Sequence, residues 1–380
     1  MKKQIVPVIA FVSAVFSAAP SFVEGITLQR AATISEDSGF RKETSEVTLK
    51  EETPPSAPAS TKSSPPAPDK WRMFDPNSLK NSNRLWLDAE ALFWQSNVGS
   101  LDYGITSHSS TRIDHGHVKH PEFDWDWGVR FGLGYKLPHD KWDLFANYTY
   151  VHGRAHGHAG GGKDVVFPSW ASNFGGVFPF FADAAKAHWD MNLNMGDLEL
   201  GRTCLVSKWL TIRPFLGVRG LVIDQDYTVG YKGGTVAPSD EAKVHLNTDF
   251  WGAGIRFGAN TLWGLGLGFS LYGNGSASLL SGHFDVKEVE KLKSADLRIM
   301  KAERDVDNVA ATADLGLGIQ WDCLFSKERC HFGVKFGWEL DVFFEQNQLF
   351  NFIGSNPAAF KTQNDDLTFQ GLTLGLRFDF

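Results

Sequence analysis

Cysteine is nearly absent. Three residues in 380, the first at Cys204, are too few for a disulfide-built scaffold. They also leave no cysteine near the N-terminus to carry a lipid. An excess of basic charge is missing as well: 37 Lys and Arg stand interspersed with 44 Asp and Glu, for a net charge of -7. Nothing in that balance points to a phosphate-neutralising surface, so nucleic acid is not an expected partner. Beyond the N-terminus no apolar run approaches the roughly 20 residues of a membrane helix, which excludes a helical inner-membrane protein. Repeats of solenoid length are absent. No nucleophile elbow, paired-carboxylate spacing or complete set of metal ligands stands out, so neither catalysis nor a cofactor is expected.

What is present in quantity is aromatic residues and glycine, with 13 Trp, 30 Phe and 38 Gly. A hydrophobic content of 42% is ordinary for a soluble protein. A membrane β-barrel has the same content, because only alternate residues face lipid. At the N-terminus, Lys2 and Lys3 precede an apolar run from Ile5 to Ala19 and then small residues. This pattern reads as a signal peptide over 1–25, with cleavage after Ala19 or after Gly25 both fitting. Residues 26–82 are polar and contain Thr53-Pro54-Pro55-Ser56-Ala57-Pro58 and Ser63-Ser64-Pro65-Pro66-Ala67-Pro68. They lack the apolar surface to offset ordering entropy, and proline keeps them extended. The expectation is a disordered periplasmic tether, with contact between 26–70 and the cell wall left open.

From residue 83 onward the period is two. Trp125, Trp127, Val129, Phe131, Leu133, Tyr135 and Leu137 fall on one face, and Asp126, Gly128, Arg130, Gly132, Gly134 and Lys136 on the other. Alternation of this length exceeds the usual strand and matches the roughly 9–11 residues of a transmembrane strand. It recurs in 251–260, 309–321 and 332–345, while 189–206 breaks frame near Gly196, which suggests a bulge. Short turns at 138–141, 207–208 and 261–262 alternate with long segments near 97–122, 153–186, 228–246, 287–307 and 349–365. That is the outer-membrane arrangement of periplasmic turns and external loops. Ten strands follow, near 84–96, 123–137, 142–152, 187–206, 209–226, 247–260, 263–286, 308–321, 331–348 and 366–380; twelve would follow if Leu101–Thr106 joined the wall. The predicted fold is all-β, an antiparallel up-and-down transmembrane barrel over 83–380. Tyr135, Trp142, Trp209, Trp263 and Trp321 would form the periplasmic aromatic belt. Trp125, Tyr150, Trp189, Tyr227 and Trp251 would form the external one.

The face opposite the apolar one carries Asp88, Glu90, Arg130, Asp197, Glu199, Arg213, Arg219, Arg256, Asp314, Lys335, Glu339 and Arg377. Such charges either fill the wall as salt bridges or line a pore that biases passing ions. Arg213 and Arg256 are expected at similar depth, as a basic patch. Ten strands lie between the filled interior of eight and the channel of sixteen. Gly264, Gly266 and Gly268 on one strand, with Gly316 and Gly318 on another, point to a crowded interior.

Cys323 and Cys330 bracket a turn, so a disulfide contributing about 2 kcal/mol is expected in the oxidising periplasm, with Cys204 left as a small lipid-facing residue. Two histidine sets, His115, His117, His120 and His152, His156, His158, lie in predicted loops and read as solvated side chains, since no further ligands complete a metal site. A barrel enzyme would place its acids and bases at the external rim, where Asp102, His108 and Asp190 stand.

The stretches Leu87-Asp88-Ala89-Glu90-Ala91-Leu92-Phe93-Trp94, Phe123-Asp124-Trp125-Asp126-Trp127-Gly128-Val129-Arg130, Asp197-Leu198-Glu199-Leu200-Gly201-Arg202, Trp209-Leu210-Thr211-Ile212-Arg213-Pro214-Phe215 and Glu345-Gln346-Asn347-Gln348 resemble the Legionella-type major outer-membrane protein family, also abundant in Chlamydia-like bacteria. The resemblance runs through nearly all of 84–380. It implies a pore-forming protein of the outer membrane, passing ions and small polar solutes through a constriction at Arg130, Arg213, Arg219 and Arg256, with no catalytic residues to transfer. Expected partners are outer-membrane lipid and lipopolysaccharide, and the barrel assembly machinery that reads a terminal aromatic strand, here Phe378 and Phe380. Oligomeric state stays open. The alternative is a non-conducting structural or adhesive barrel whose loops meet a host or partner.

Overall fold

The computed structural model describes residues 84–380 except 114, 139, 172–179, 295, 326–328 and 353–359. The signal peptide and the tether lie outside the described residues. Ten long strands form the wall: β1 (Leu85–Val98), β2 (Trp125–Lys136), β3 (Trp142–Gly160), β4 (Ala184–Arg202), β5 (Leu210–Gly233), β6 (Ala237–Gly266), β7 (Phe269–Leu292), β8 (Leu297–Phe325), β9 (Cys330–Asn347) and β10 (Asp365–Asp379). Each pairs antiparallel with its chain neighbours, and β10 returns to β1 through Trp86–Asp379 to Val98–Leu367. The sheet therefore closes and leaves no edge, as a lipid environment requires. Residues 104–107, 117–119 and 165–168 form a separate three-stranded sheet, so the wall has ten strands and not twelve.

The outer face between the two turns of a strand is apolar. Along β6, Trp251, Ile255, Phe257 and Trp263 are all about half exposed. From Trp251 to Trp263 a strand covers about 40 Å, which at the usual barrel tilt spans about 30 Å, the thickness of a bilayer core.

Several strands run far beyond that span. The segments 228–246 and 287–307, expected as loops, are hairpin extensions of β5–β6 and β7–β8. In these extensions the faces invert. On β4 the inward side chains are Asp197 and Glu199 within the membrane, then Met195, Leu193, Met191 and Trp189 above it, all in one unbroken register with β3 and β5. The expected bulge at Gly196 is therefore corrected. What changes there is which face is apolar, because the solvent outside changes from lipid to water. The same inversion overturns two belt assignments: Trp189 and Tyr227 are buried inside, whereas Trp125, Tyr150 and Trp251 are on the outer face.

The turn expected at 261–262 lies at 267–268. Gly266, Leu267 and Gly268 all have positive φ, at 99°, 57° and 85°, and two of three such positions are glycine because only it enters this region without strain. The predicted disulfide is also corrected. Cys323 pairs with Phe332 and Cys330 with Phe325, so the two cysteines are diagonal neighbours and both are free thiols. Diagonal neighbours sit about 7–8 Å apart, beyond the reach of a disulfide.

Candidate functional site in the barrel lumen

All twelve inward charges named from the sequence (Asp88, Glu90, Arg130, Asp197, Glu199, Arg213, Arg219, Arg256, Asp314, Lys335, Glu339 and Arg377) face one cavity of about 250 Å³ in the membrane-embedded half of the barrel. Alternation puts them there. Glu90 and Arg130 are direct cross-strand partners on β1 and β2.

The charges are paired. Arg130 reaches Glu90 at 2.8 Å and Glu339 at 2.9 Å, and Lys335 takes the other Glu90 oxygen at 2.5 Å. Arg219, 1% exposed, donates Nε and Nη2 to Asp197 at 2.7 and 3.0 Å, and both terminal nitrogens to Asp314 at 3.1 and 2.7 Å. Arg213 holds Asp143 at 2.5 Å and Glu199 at 2.9 Å. Arg256 also binds Glu199, and reaches Asp314 at 3.3 Å. The expected basic patch at Arg213 and Arg256 is thus corrected, since Glu199 stands between them. At the periplasmic end, Arg377 lies 4.7 Å from the Trp86 ring and pairs with Asp379, which also takes Lys136 and His331. Asp88 accepts the Trp86 Nε1–H at 3.0 Å. Asp143 and Asp341 were not singled out from sequence; their alternation with Leu144 and Leu340 was the available signal.

Above this polar zone the lumen is filled with apolar side chains, among them Leu92, Trp94, Trp189, Phe250, Phe284, Phe343 and Phe369. Inward-folded external segments complete the core with Leu101, Tyr103, Val166 and Trp170. The Tyr227 hydroxyl donates to the Leu101 carbonyl and the Tyr231 hydroxyl to the Tyr103 carbonyl, both at 2.6 Å. Trp170 Nε1–H donates to the Asp102 carbonyl at 2.8 Å. Burial pushes both tyrosine hydroxyls up, so they remain donors at any ordinary pH. Glu288 is an exception within this core. It is 1% exposed, lies opposite Leu246 and Ala302, and neither carboxyl oxygen has a hydrogen-bond partner among the described residues. Burial, then the neighbouring Glu290, pushes its pKa up to about 9.

The remaining candidates do not converge. His152, His156 and His158 lie on the outer face of β3, not in a loop. His108 pairs with Asp164 and His188 with Asp190, so the rim residues Asp102, His108 and Asp190 share no centre. Among the described residues no group of three or more His, Cys, Asp or Glu is placed to hold a metal ion. Phe378 faces outward beside Phe380, with ring centroids 5.6 Å apart.

Solved structures to which the chain is similar include the outer membrane protease OmpT from Escherichia coli, at 10% identity and a TM-score of 0.43, covering 79% of this chain and 98% of that one. The Pseudomonas putida toluene transporter TodX follows at 9% identity and a TM-score of 0.29, covering 79% and 90%. No curated protein matches the chain. The model of the family described as Legionella pneumophila major outer membrane protein precursor matches residues 79–380. A closed barrel with a lipid-facing outer wall and a match over its whole length place the chain in the outer membrane, and it belongs to the Legionella major outer membrane protein family.

Proposed function

We propose that the protein is a porin for ions and small polar solutes, held here in a closed conformation. The observation that carries this reading is the charged cavity of about 250 Å³ in the membrane-embedded half. A barrel that only needs filling does better with apolar side chains, because buried ion pairs seldom repay their desolvation. This chain fills its external half that way, yet keeps charges of both signs below. Solutes would pass along that lining once the inward-folded external segments move aside, and the reading includes no catalytic step.

A second reading, a non-conducting structural or adhesive barrel, draws on the completeness of the ion pairing and of the apolar core. Single-channel recording in planar bilayers separates the two. Conductance steps are expected from the refolded chain, and more frequent ones from Tyr227→Phe/Tyr231→Phe, which removes both tyrosine ties. A protein that passes the heat-modifiability test for folding, but gives no steps with either sequence, leaves the second reading standing.

A further inference from the structure

We propose that the outer wall above the membrane carries a binding site for the anionic headgroup of a phosphorylated glycolipid of the surrounding leaflet. The cross-strand registers of β3 to β8 align His158, Lys186, Gly230, Lys243, Lys291 and Arg298 in one row. Directly beneath run His156, His188, Thr228 and His245. Five of six positions in the upper row are basic, in a chain of net charge -7. Like charges directly opposite one another destabilise a sheet, and Lys243, Lys291 and Arg298 are such neighbours. An anion laid across the row removes that penalty.

At the one non-basic position the Glu241 carboxylate leans over the backbone, its Oε1 2.9 Å from where a Cβ of residue 230 would stand. At Gly230 the wall has a hollow of about 320 Å³, edged by His156, Lys186, His188, Thr228, Glu241 and Lys243. Lys186 and Lys243 make no ion pair among the described residues. The nearby carboxylates are already engaged: Glu241 with Lys293 at 2.8 Å, Asp190 with His188 at 2.7 Å, Asp124 with His156 at 3.3 Å and Asp296 with Lys291 at 3.7 Å. His245 registers the local positive potential: its pKa is lowered by burial and then by Lys243 and Lys291.

Height and orientation select the occupant. Lys243 stands eight residues above Trp251 on β6, which places the row about 20 Å above the external aromatics after tilt. It faces sideways, on the same wall that meets lipid below. A row of Asp224, Asp249, Asp285 and Asp305 lies between, just above those aromatics. This acidic band repels anions at the membrane surface and the basic rows accept them higher up. An anionic group carried above the membrane on the headgroup of a neighbouring lipid would meet the row from the side.

The test uses the full refolded chain in neutral detergent, titrated with rough lipopolysaccharide bearing a phosphorylated core, with the same material after dephosphorylation, and with inorganic phosphate. The phosphorylated lipid is expected to bind, more weakly as salt rises. Lys186→Gln/Lys243→Gln/Lys291→Gln and the dephosphorylated lipid should each lose about tenfold in affinity. A folded triple variant that binds unchanged overturns the site. Inorganic phosphate that saturates the hollow and displaces the lipid overturns the glycolipid in favour of a free small anion. Acetylation of the unsubstituted protein reads the same contact without mutation: lipid should protect Lys186 and Lys243, and equal labelling with and without lipid sinks the proposal.

Discussion

Glu288 makes the external core a proton-linked structure. Its carboxyl is expected to be neutral in the folded barrel, because burial among Leu246 and Ala302 leaves a charge there without compensation. Exposed, the group titrates at 4.5; folded, it titrates at about 9. A raised carboxyl pKa contributes stability that is complete below the exposed value and is lost as pH rises through the folded one. Each pH unit in between removes about 1.4 kcal/mol. From pH 4.5 to 7 the closed core therefore loses roughly 3 kcal/mol, and by pH 9 about 6 kcal/mol as an upper bound. Glu288→Gln keeps the shape and cannot ionise, so its profile should lack this loss, keeping only the smaller one from Asp249, which burial and Asp224 push up to about 6. The measurement is the heat-modified gel transition of the refolded protein between pH 5 and 9, with protease access to the 99–124 segment read in parallel. Wild type should soften steadily up to pH 9, whereas Glu288→Gln should level off above about pH 6. Parallel profiles for the two would refute the argument, since the carboxyl would then be neither dry nor proton-linked.

Breaking the lumen network by Arg219→Met leaves Asp197 and Asp314 to share Arg256, and should cost about 3 kcal/mol in urea unfolding; adding Asp197→Asn should recover part of it, and additive losses would argue against the pairing. Tyr231→Phe removes one hydrogen bond to the Tyr103 carbonyl and should cost about 1 kcal/mol, seen as faster amide exchange in 101–107 without change in the membrane strands. Gly134→Ala would drive a Cβ to 1.9 Å from the Trp86 ring, and the overpacked core should lose about 1–3 kcal/mol in the same unfolding assay. Mass spectrometry after thiol labelling of unreduced, unfolded protein should count three modified cysteines, whereas a single modification would restore the Cys323–Cys330 bridge.

The wall was legible because period-two alternation is a direct imprint of a sheet with unlike solvents on its two faces. Strand number, the closing strand and the inward set from Asp88 to Arg377 all followed from it. Strand ends did not follow. In Thr228–Lys232 the residues still alternate, but Val229 and Tyr231 point inward while Thr228 and Lys232 point out, the reverse of the lipid-facing segment. A reader tracking one apolar face sees that as loss of pattern, hence a loop at 228–246 and a bulge at Gly196. Ion pairing was half legible: Glu90 and Arg130 fall opposite by register, but the wedging of Glu199 between Arg213 and Arg256 needs three strands in place. The basic row on β3 to β8 was invisible for the same reason. Its members lie up to 140 residues apart, and only the strand register brings them into line.

The two halves of the lumen also bound how the barrel could conduct. Moving the external segments aside would expose Leu101, Tyr103, Val166 and Trp170, each fully buried. At about 1.5–3 kcal/mol per side chain, their burial favours closure by roughly 6–12 kcal/mol. A preference of about 5.5 kcal/mol already holds a two-state equilibrium near one part in 10⁴. Conductance of the unaltered protein should therefore come as rare openings rather than a standing current. Ionising Glu288 subtracts several kcal/mol from the same balance, so alkaline pH should lengthen the open time. The ion pairs at Arg130 and Arg219 enter the balance differently. They hold strands of the wall to one another and none joins the wall to the moving segments, so their removal should weaken the barrel without opening it.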